Sequence, residues 1–318
     1  MNRYTFNNVV NFKCVDKACK KSCCKLWQIK IDKKSLNKYK DLAKSDGRFI
    51  TNVDYDLSAF KMSRHGDCKF LNKDGLCDLI LDYGDGALCN TCKTHPRFKS
   101  FFKGAVECGV GLSCEEGARL ILGAKDKLKL VKEKTGKKIS LTCQLKENPQ
   151  LTPFEKGMLK FRRKAISIAQ DRRLKISQRV DGLLLLSKTD IKRKGLNFWL
   201  NLVSDLERLD TDSNYFYKRL ISSNLDYDKL NVDDESMQIA YEQLLSYFLF
   251  RHIPKSRDYT DLYLFTSLAV ALFYLVVSGV YCGEKFDNSA RIISTEIEYS
   301  EENIDEILIQ LEGLVRLN

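Results

Sequence analysis

Residues 12–32 read FKCVDKACKKSCCKLWQIKID, and residues 68–98 read CKFLNKDGLCDLILDYGDGALCNTCKTHPRF. Residues 14–114 hold ten of the chain's twelve cysteines: Cys14, Cys19, Cys23 and Cys24, then Cys68, Cys77, Cys89, Cys92, Cys108 and Cys114. Thiols this dense are either cross-linked to one another or bound to metal. At 318 residues the chain buries enough apolar surface to fold without disulfides, so the small-scaffold reason for cross-linking does not apply. The opening MNRYTFNNVVNFKC lacks an apolar leader core, which sets the expectation of a reducing, cytoplasmic compartment. In that compartment clustered thiols are metal ligands more often than disulfides.

Spacing does not single out one metal. Structural zinc favours Cys-x2-Cys pairs, and only Cys89-Asn-Thr-Cys92 has that form. The first group is spaced by four, three and no residues. Iron–sulfur ligation takes four thiolates per cluster and tolerates irregular spacing, which tips the reading toward iron–sulfur over zinc. Turn signals at Asn72-Lys73-Asp74-Gly75 and Gly84-Asp85-Gly86 leave the second group free to converge on one point. His65 and His95 stand near the cysteines but read as surface or supporting residues. Cys143 and Cys282 stand apart and read as buried, inert thiols.

Around this stretch the chain reads as helical. Trp27, Ile29 and Ile31 alternate with polar residues as in a short half-buried strand or extended segment. Asp32 is placed to cap a helix carrying Leu36, Tyr39 and Leu42, and Ser113 to cap one beginning near Cys114. Beyond residue 125 the spacing predicts helices near 153–175, 177–187, 189–208, 213–223, 235–252, 260–281 and 300–316. Met237, Ile239, Ala240, Leu244, Leu245, Phe248 and Leu249 form a core-facing stripe. Residues 262–282 carry no charge over 21 positions, long enough to cross a bilayer. Their Ser, Thr and Tyr content and their place in a helical chain favour a core helix instead. The fold class expected is therefore mainly α: an irregular cysteine-rich metal-binding module over residues 1–124, packed on a helical domain over 125–318.

The formal net charge is +11, with much of the excess in residues 125–179. Such a field attracts nucleic acid or other acidic partners. No aromatic residues are interleaved for base stacking and no finger or RNP motif accompanies the charge, so solvated helix faces are the expected reading.

These cysteine motifs, with LSCEEGARLIL at 112–122 and EYSEENIDEILIQL at 298–311, resemble the flagellin lysine N-methylase family, within the wider group of clustered-cysteine zinc- or iron-chelating proteins. The resemblance implies methyl transfer from S-adenosylmethionine to lysine side chains of flagellin, with an iron–sulfur cluster of the [4Fe-4S] type taking part. It places the cluster ligands among Cys14, Cys19, Cys23, Cys24, Cys68, Cys77, Cys89 and Cys92, and leaves Cys108 and Cys114 less certain. The residues themselves show no Gly-x-Gly-x-x-Gly after a strand, and Gly109-Val110-Gly111 reads as a turn. The Cys-x3-Cys-x2-Cys spacing of radical enzymes is also missing, since Leu26 occupies its third position. Asp78, Asp82, Tyr83 and Asp85 are candidates for the base that deprotonates the lysine, beside the equal alternative of turn and surface residues. The alternative function is a non-enzymatic zinc- or iron–sulfur-binding protein; a third is a basic zinc module that binds nucleic acid.

Overall fold

In the computed structural model, residues 2–15, 18–19, 22–25, 27–133, 138–140, 150–209 and 213–315 are described. A sheet that sequence patterning did not announce organises the N-terminal third. Its strands are β1 (Asn2–Phe6), β4 (Arg97–Phe102), β5 (Ala105–Val110), β6 (Lys129–Lys132) and β7 (Lys138–Ser140), in the order β4-β5-β1-β6-β7. β4 and β5 form a hairpin turned by Lys103-Gly104, where Gly104 takes φ 82°. β1 runs parallel to β5 and antiparallel to β6, so the first residues of the chain lie at the centre of the sheet. A short ribbon, β2 (Val53–Asp54) with β3 (Ala59–Phe60), lies between β1 and β4 in sequence.

The remaining elements are helices, and the fold is mainly α as expected. The cysteine-rich part carries α1 (Lys33–Leu42), α2 (Arg48–Asn52), α3 (Asp78–Tyr83), α4 (Asn90–Thr94) and α5 (Glu115–Leu122). Asp32 caps α1 as predicted, its carboxylate accepting from the Ser35 amide at 3.1 Å. The N-cap of α5 is Cys114, not Ser113. The body consists of α6 (Pro153–Ala169), α7 (Ile176–Leu186), α8 (Leu196–Asp205), α9 (Asn214–Ser222), α10 (Gln238–His252), α11 (Tyr259–Tyr281), α12 (Phe286–Glu298) and α13 (Glu301–Glu312). The predicted 189–208 helix is shorter: a 3-10 turn at Ile191–Lys194 ends at Gly195, φ 71°, before α8 begins. Of the strand or extended segment expected at 27–31, the extended segment forms, with one isolated bridge, Lys30 to Ala59.

α11 is the central helix. It packs against α7, α10, α12 and α13, and 89% of its most apolar window is buried inside the protein. Among the described residues it is the one helix long and apolar enough to cross a membrane. The expected stripe on α10 is too narrow, because every residue from Tyr241 to His252 is buried. Burial on all sides brings Glu242, Gln243, Arg251 and His252 into the interior, and each needs a partner there.

Two apolar cores divide the chain at other points than residue 124. Tyr4, Phe6, Val110, Ile121 and Leu130 share one large core with the helices of the body. A second, smaller core gathers Ile29, Tyr39, Phe49, Phe60, Phe70, Leu79 and Cys89. The sheet and α5 thus belong to the body, and a unit built on residues 29–89 is inserted between β1 and β4.

The basic run departs from expectation at Arg162 and Arg179, which are buried, while Arg172 and Arg173 stay exposed as expected. Arg162 is fully buried on α6 and pairs with the equally buried Glu107 of β5, at 2.8 Å. Arg172 and Arg179 converge on Glu242 at 2.8 and 3.4 Å. Arg162 and Arg179 face inward because the core holds carboxylates that require them. Lys134, Lys137 and Cys143 lie outside the described residues.

Candidate metal centre

All described cysteines are free thiols. Cys68 and Cys89 lie inside the small core, and Cys24, Cys77 and Cys92 pack on its edge. The Cys68 amide donates to the Cys24 carbonyl at 2.7 Å, which ties the first cysteine group to the second. Tyr39 lies beneath them, fully buried, with its hydroxyl donating to the Ala87 carbonyl at 2.7 Å. Burial raises the Tyr39 pKa, and the neighbouring Cys89, Cys92 and Cys77 sulfurs raise it further.

Three of the thiols begin helices. Cys77 caps α3, Cys89 caps α4 and Cys114 caps α5, each with extended backbone. Amides at a helix start favour a thiolate over a thiol. Burial pushes Cys77 and Cys114 up, and the first-turn amides of Leu79 and Ile80, and of Glu116 and Gly117, act against it. At Cys89 the bond from Cys92 leads, and with the amides of Thr91 and Cys92 it outweighs burial and lowers the thiol to about 7. Cys24 is lowered to about 7 in the same way, first by a bond from Cys23, against burial, and then by Ser22. The partners Cys23 and Cys92 are pushed far up by those shared protons and then by burial. Burial also holds Cys68 up at about 12.

The sites read from sequence are thus only partly gathered. Cys23 lies beside Cys24, and Cys89 beside Cys92, with Cys68 and Cys77 near them. Cys14 lies within the field of Cys23, while the Cys19 sulfur turns to Glu115 Oε2 at 3.7 Å. Cys114 joins the group. Cys108 does not; it sits in β5 and is engaged by the Arg3 guanidinium. Among the described residues, no three His, Cys, Asp or Glu side chains form a ready metal cage. The donor set is nevertheless all thiol, the ligand type of iron–sulfur and zinc sites.

His95 is not a ligand candidate. Its ring lies between Trp27 and Tyr299, at centroid distances of 5.7 and 5.6 Å, and burial with the nearby Arg251 charge lowers it to about 4. Trp27 is anchored to the thiol loop, its indole donating to the Cys23 carbonyl at 2.7 Å. The line continues inward. Arg251 lies over Tyr299 and Phe98 at 4.9 and 4.8 Å and pairs with the buried Glu298 at 3.1 Å. Glu298 also contacts His252, Tyr247 and Ser294. Gly111 fits here because a β-carbon would lie 2.2 Å from the Tyr299 hydroxyl. Gly109, expected in a turn, is a strand residue covered by the Phe98 ring across the hairpin.

The acid–base candidates among the cysteines are held by structural partners. Asp82 pairs with Arg48 at 2.7 Å, Tyr83 donates to Asp46 at 2.9 Å, and Asp78 accepts from Asn72 at 2.9 Å. Asp85 is exposed in a 3-10 turn. A groove of about 750 Å³ opens beside the small core, lined by Trp27, Phe60, Met62, Arg64 and His65 among others.

No family model and no solved structure matches the chain. Among curated proteins it is 30% identical over 138 residues to the flagellar biosynthetic protein FliU of Salmonella muenchen, covering 40% of this chain and 80% of that one. The chain belongs to the FliU and lysine-N-methylase family. Two lysine-N-methylases, from Salmonella choleraesuis and Salmonella typhimurium, are each 33% identical over 138 residues, 40% of this chain. The match spans 34% of the length of each of those lysine-N-methylases. The resemblance to the flagellin lysine N-methylase family therefore stands.

Proposed function

We propose that this chain is a protein-lysine methyltransferase, with S-adenosylmethionine as methyl donor and flagellin as substrate, acting in the cytoplasm. Membership in the lysine-N-methylase family carries the reading, and the name of the FliU relative favours a flagellar substrate. In the transfer, the methyl carbon leaves the donor sulfur and bonds to the lysine nitrogen, whose proton goes to a base or to water. Cys23, Cys24, Cys89 and Cys92, with Cys68 and Cys77 beside them, would hold the metal group. A [4Fe-4S] cluster bound there supplies redox or Lewis-acid chemistry, and zinc is the alternative occupant. Trp27 links that loop to the body and offers an aromatic wall suited to a sulfonium cation.

One observation favours the second reading, a non-enzymatic metal-binding protein: Asp78, Asp82 and Tyr83 are all bound to structural partners. Anaerobic incubation of the full chain with flagellin and a methyl-labelled donor separates the two. Label on lysine, located by mass spectrometry, is the expected result; flagellin without label removes the enzyme reading.

A further inference from the structure

The groove beside the small core carries a charge pattern that its own chain does not satisfy. Its volume, about 750 Å³, is in the range of ligand sites. Trp27, Leu57 and Met62 supply apolar lining, and Leu57 is 56% exposed. Lys61, Arg64 and Lys69 stand exposed along it. Met62 bridges Cys68 in antiparallel register, so Lys61 lies directly opposite Lys69, whose amide donates to the Lys61 carbonyl at 3.0 Å. Like charges facing each other across a ladder destabilise it. Among the described residues, none of these three cations pairs with a carboxylate; Arg64 turns its Nε to the His65 ring, at 3.1 Å. Asp54, the carboxylate in the lining, accepts from the amides of Asp56 and Leu57 at 3.1 and 2.9 Å. A basic rim without counter-charges, beside exposed apolar side chains, complements carboxylates interleaved with apolar residues.

We infer that this groove docks a short acidic segment of a partner protein. Its carboxylates meet Lys61, Arg64 and Lys69, and its apolar side chains lie on Leu57, Met62 and Trp27. A nucleic-acid strand suits the groove less, because Leu57 and Met62 stand where successive bases would need rings to stack on. The Trp27 indole donates to the Cys23 carbonyl at 2.7 Å, so a segment seated here lies beside the thiol loop. On the methyltransferase reading the segment belongs to the protein substrate, but the docking does not depend on methyl transfer.

The test is fluorescence anisotropy with the full chain and a fluorescein-labelled peptide of alternating Glu and Val. A peptide of alternating Lys and Val and an oligouridine, both of the same length, run beside it. The acidic peptide is expected to bind, more weakly as salt rises. The combined variant Lys61→Glu, Arg64→Glu, Lys69→Glu is expected to lose about tenfold or more in affinity. Leu57→Asp, at an exposed position, serves as the second variant should the first fail to fold, and is expected to weaken binding likewise. Four results overturn the inference: no binding of the acidic peptide, equal binding of the basic one, tighter binding of oligouridine, or unchanged affinity in a folded variant. A chain that labels flagellin yet fails this test keeps the enzyme reading and loses the docking site.

Discussion

The Glu107–Arg162 pair shows what a buried charge demands of its neighbours. Both side chains are fully buried, with Arg162 lying 4.9 Å over the Phe250 ring. Removing either partner strands the other charge in the core, so Arg162→Ala is expected to cost about 3–5 kcal/mol. Urea unfolding of Arg162→Ala, Glu107→Ala and the double variant checks this, and the double should cost clearly less than the sum. Acid stability follows from His252 and Glu298. Burial, against the bond and charge of Glu298, leaves His252 at about 4, below its ordinary 6.5. Burial pushes Glu298 up, but Arg251, His252 and Ser294 reverse that and hold it at about 2, below 4.5. In both cases the unfolded chain binds a proton before the folded one does, so stability is full above pH 6.5 and falls from there toward pH 2. Glu298→Gln removes the lower part of this dependence, between 4.5 and 2, which thermal melts across pH would read. None of these partnerships is legible in sequence, because Glu107 stands 55 positions from Arg162, which lies in a run that looks like solvated charge.

At the scale of elements, helices with local signals were legible. Thr152 and Glu155 form a capping box with Pro153 in the first turn of α6. Thr152→Ala is expected to cost about 1 kcal/mol, measured by chemical denaturation. α11 announces itself by its apolar run, and its packing by seven other helices makes it a core element. Leu268, wholly buried on it, should cost about 2–5 kcal/mol when replaced by Ala. α12 was missed, since Asn288, Ser289, Ser294 and Thr295 mask its pattern while Ile293 and Ile297 are buried. The sheet was missed for a different reason. Its centre pairs residues 2–5 with residues 105–108, a long-range contact that no local window contains.

At the scale of the whole molecule, the family was more legible in sequence than the architecture. The cysteine motifs pointed to the family and to a thiol-rich junction. They could not show that the sheet and α5 belong to the body, or that Cys114 faces the thiol set while Cys108 faces Arg3. Which thiols converge depends on how the inserted unit seats through Trp27, His95 and Tyr299. The central claim is that this junction binds metal through cysteine thiolates. Its most direct test is the iron, zinc and acid-labile sulfide content of the full chain purified without oxygen, with its visible absorption spectrum. Iron with matching sulfide and a brown chromophore is the predicted result. Protein that carries neither iron nor zinc while its thiols remain reduced would contradict it.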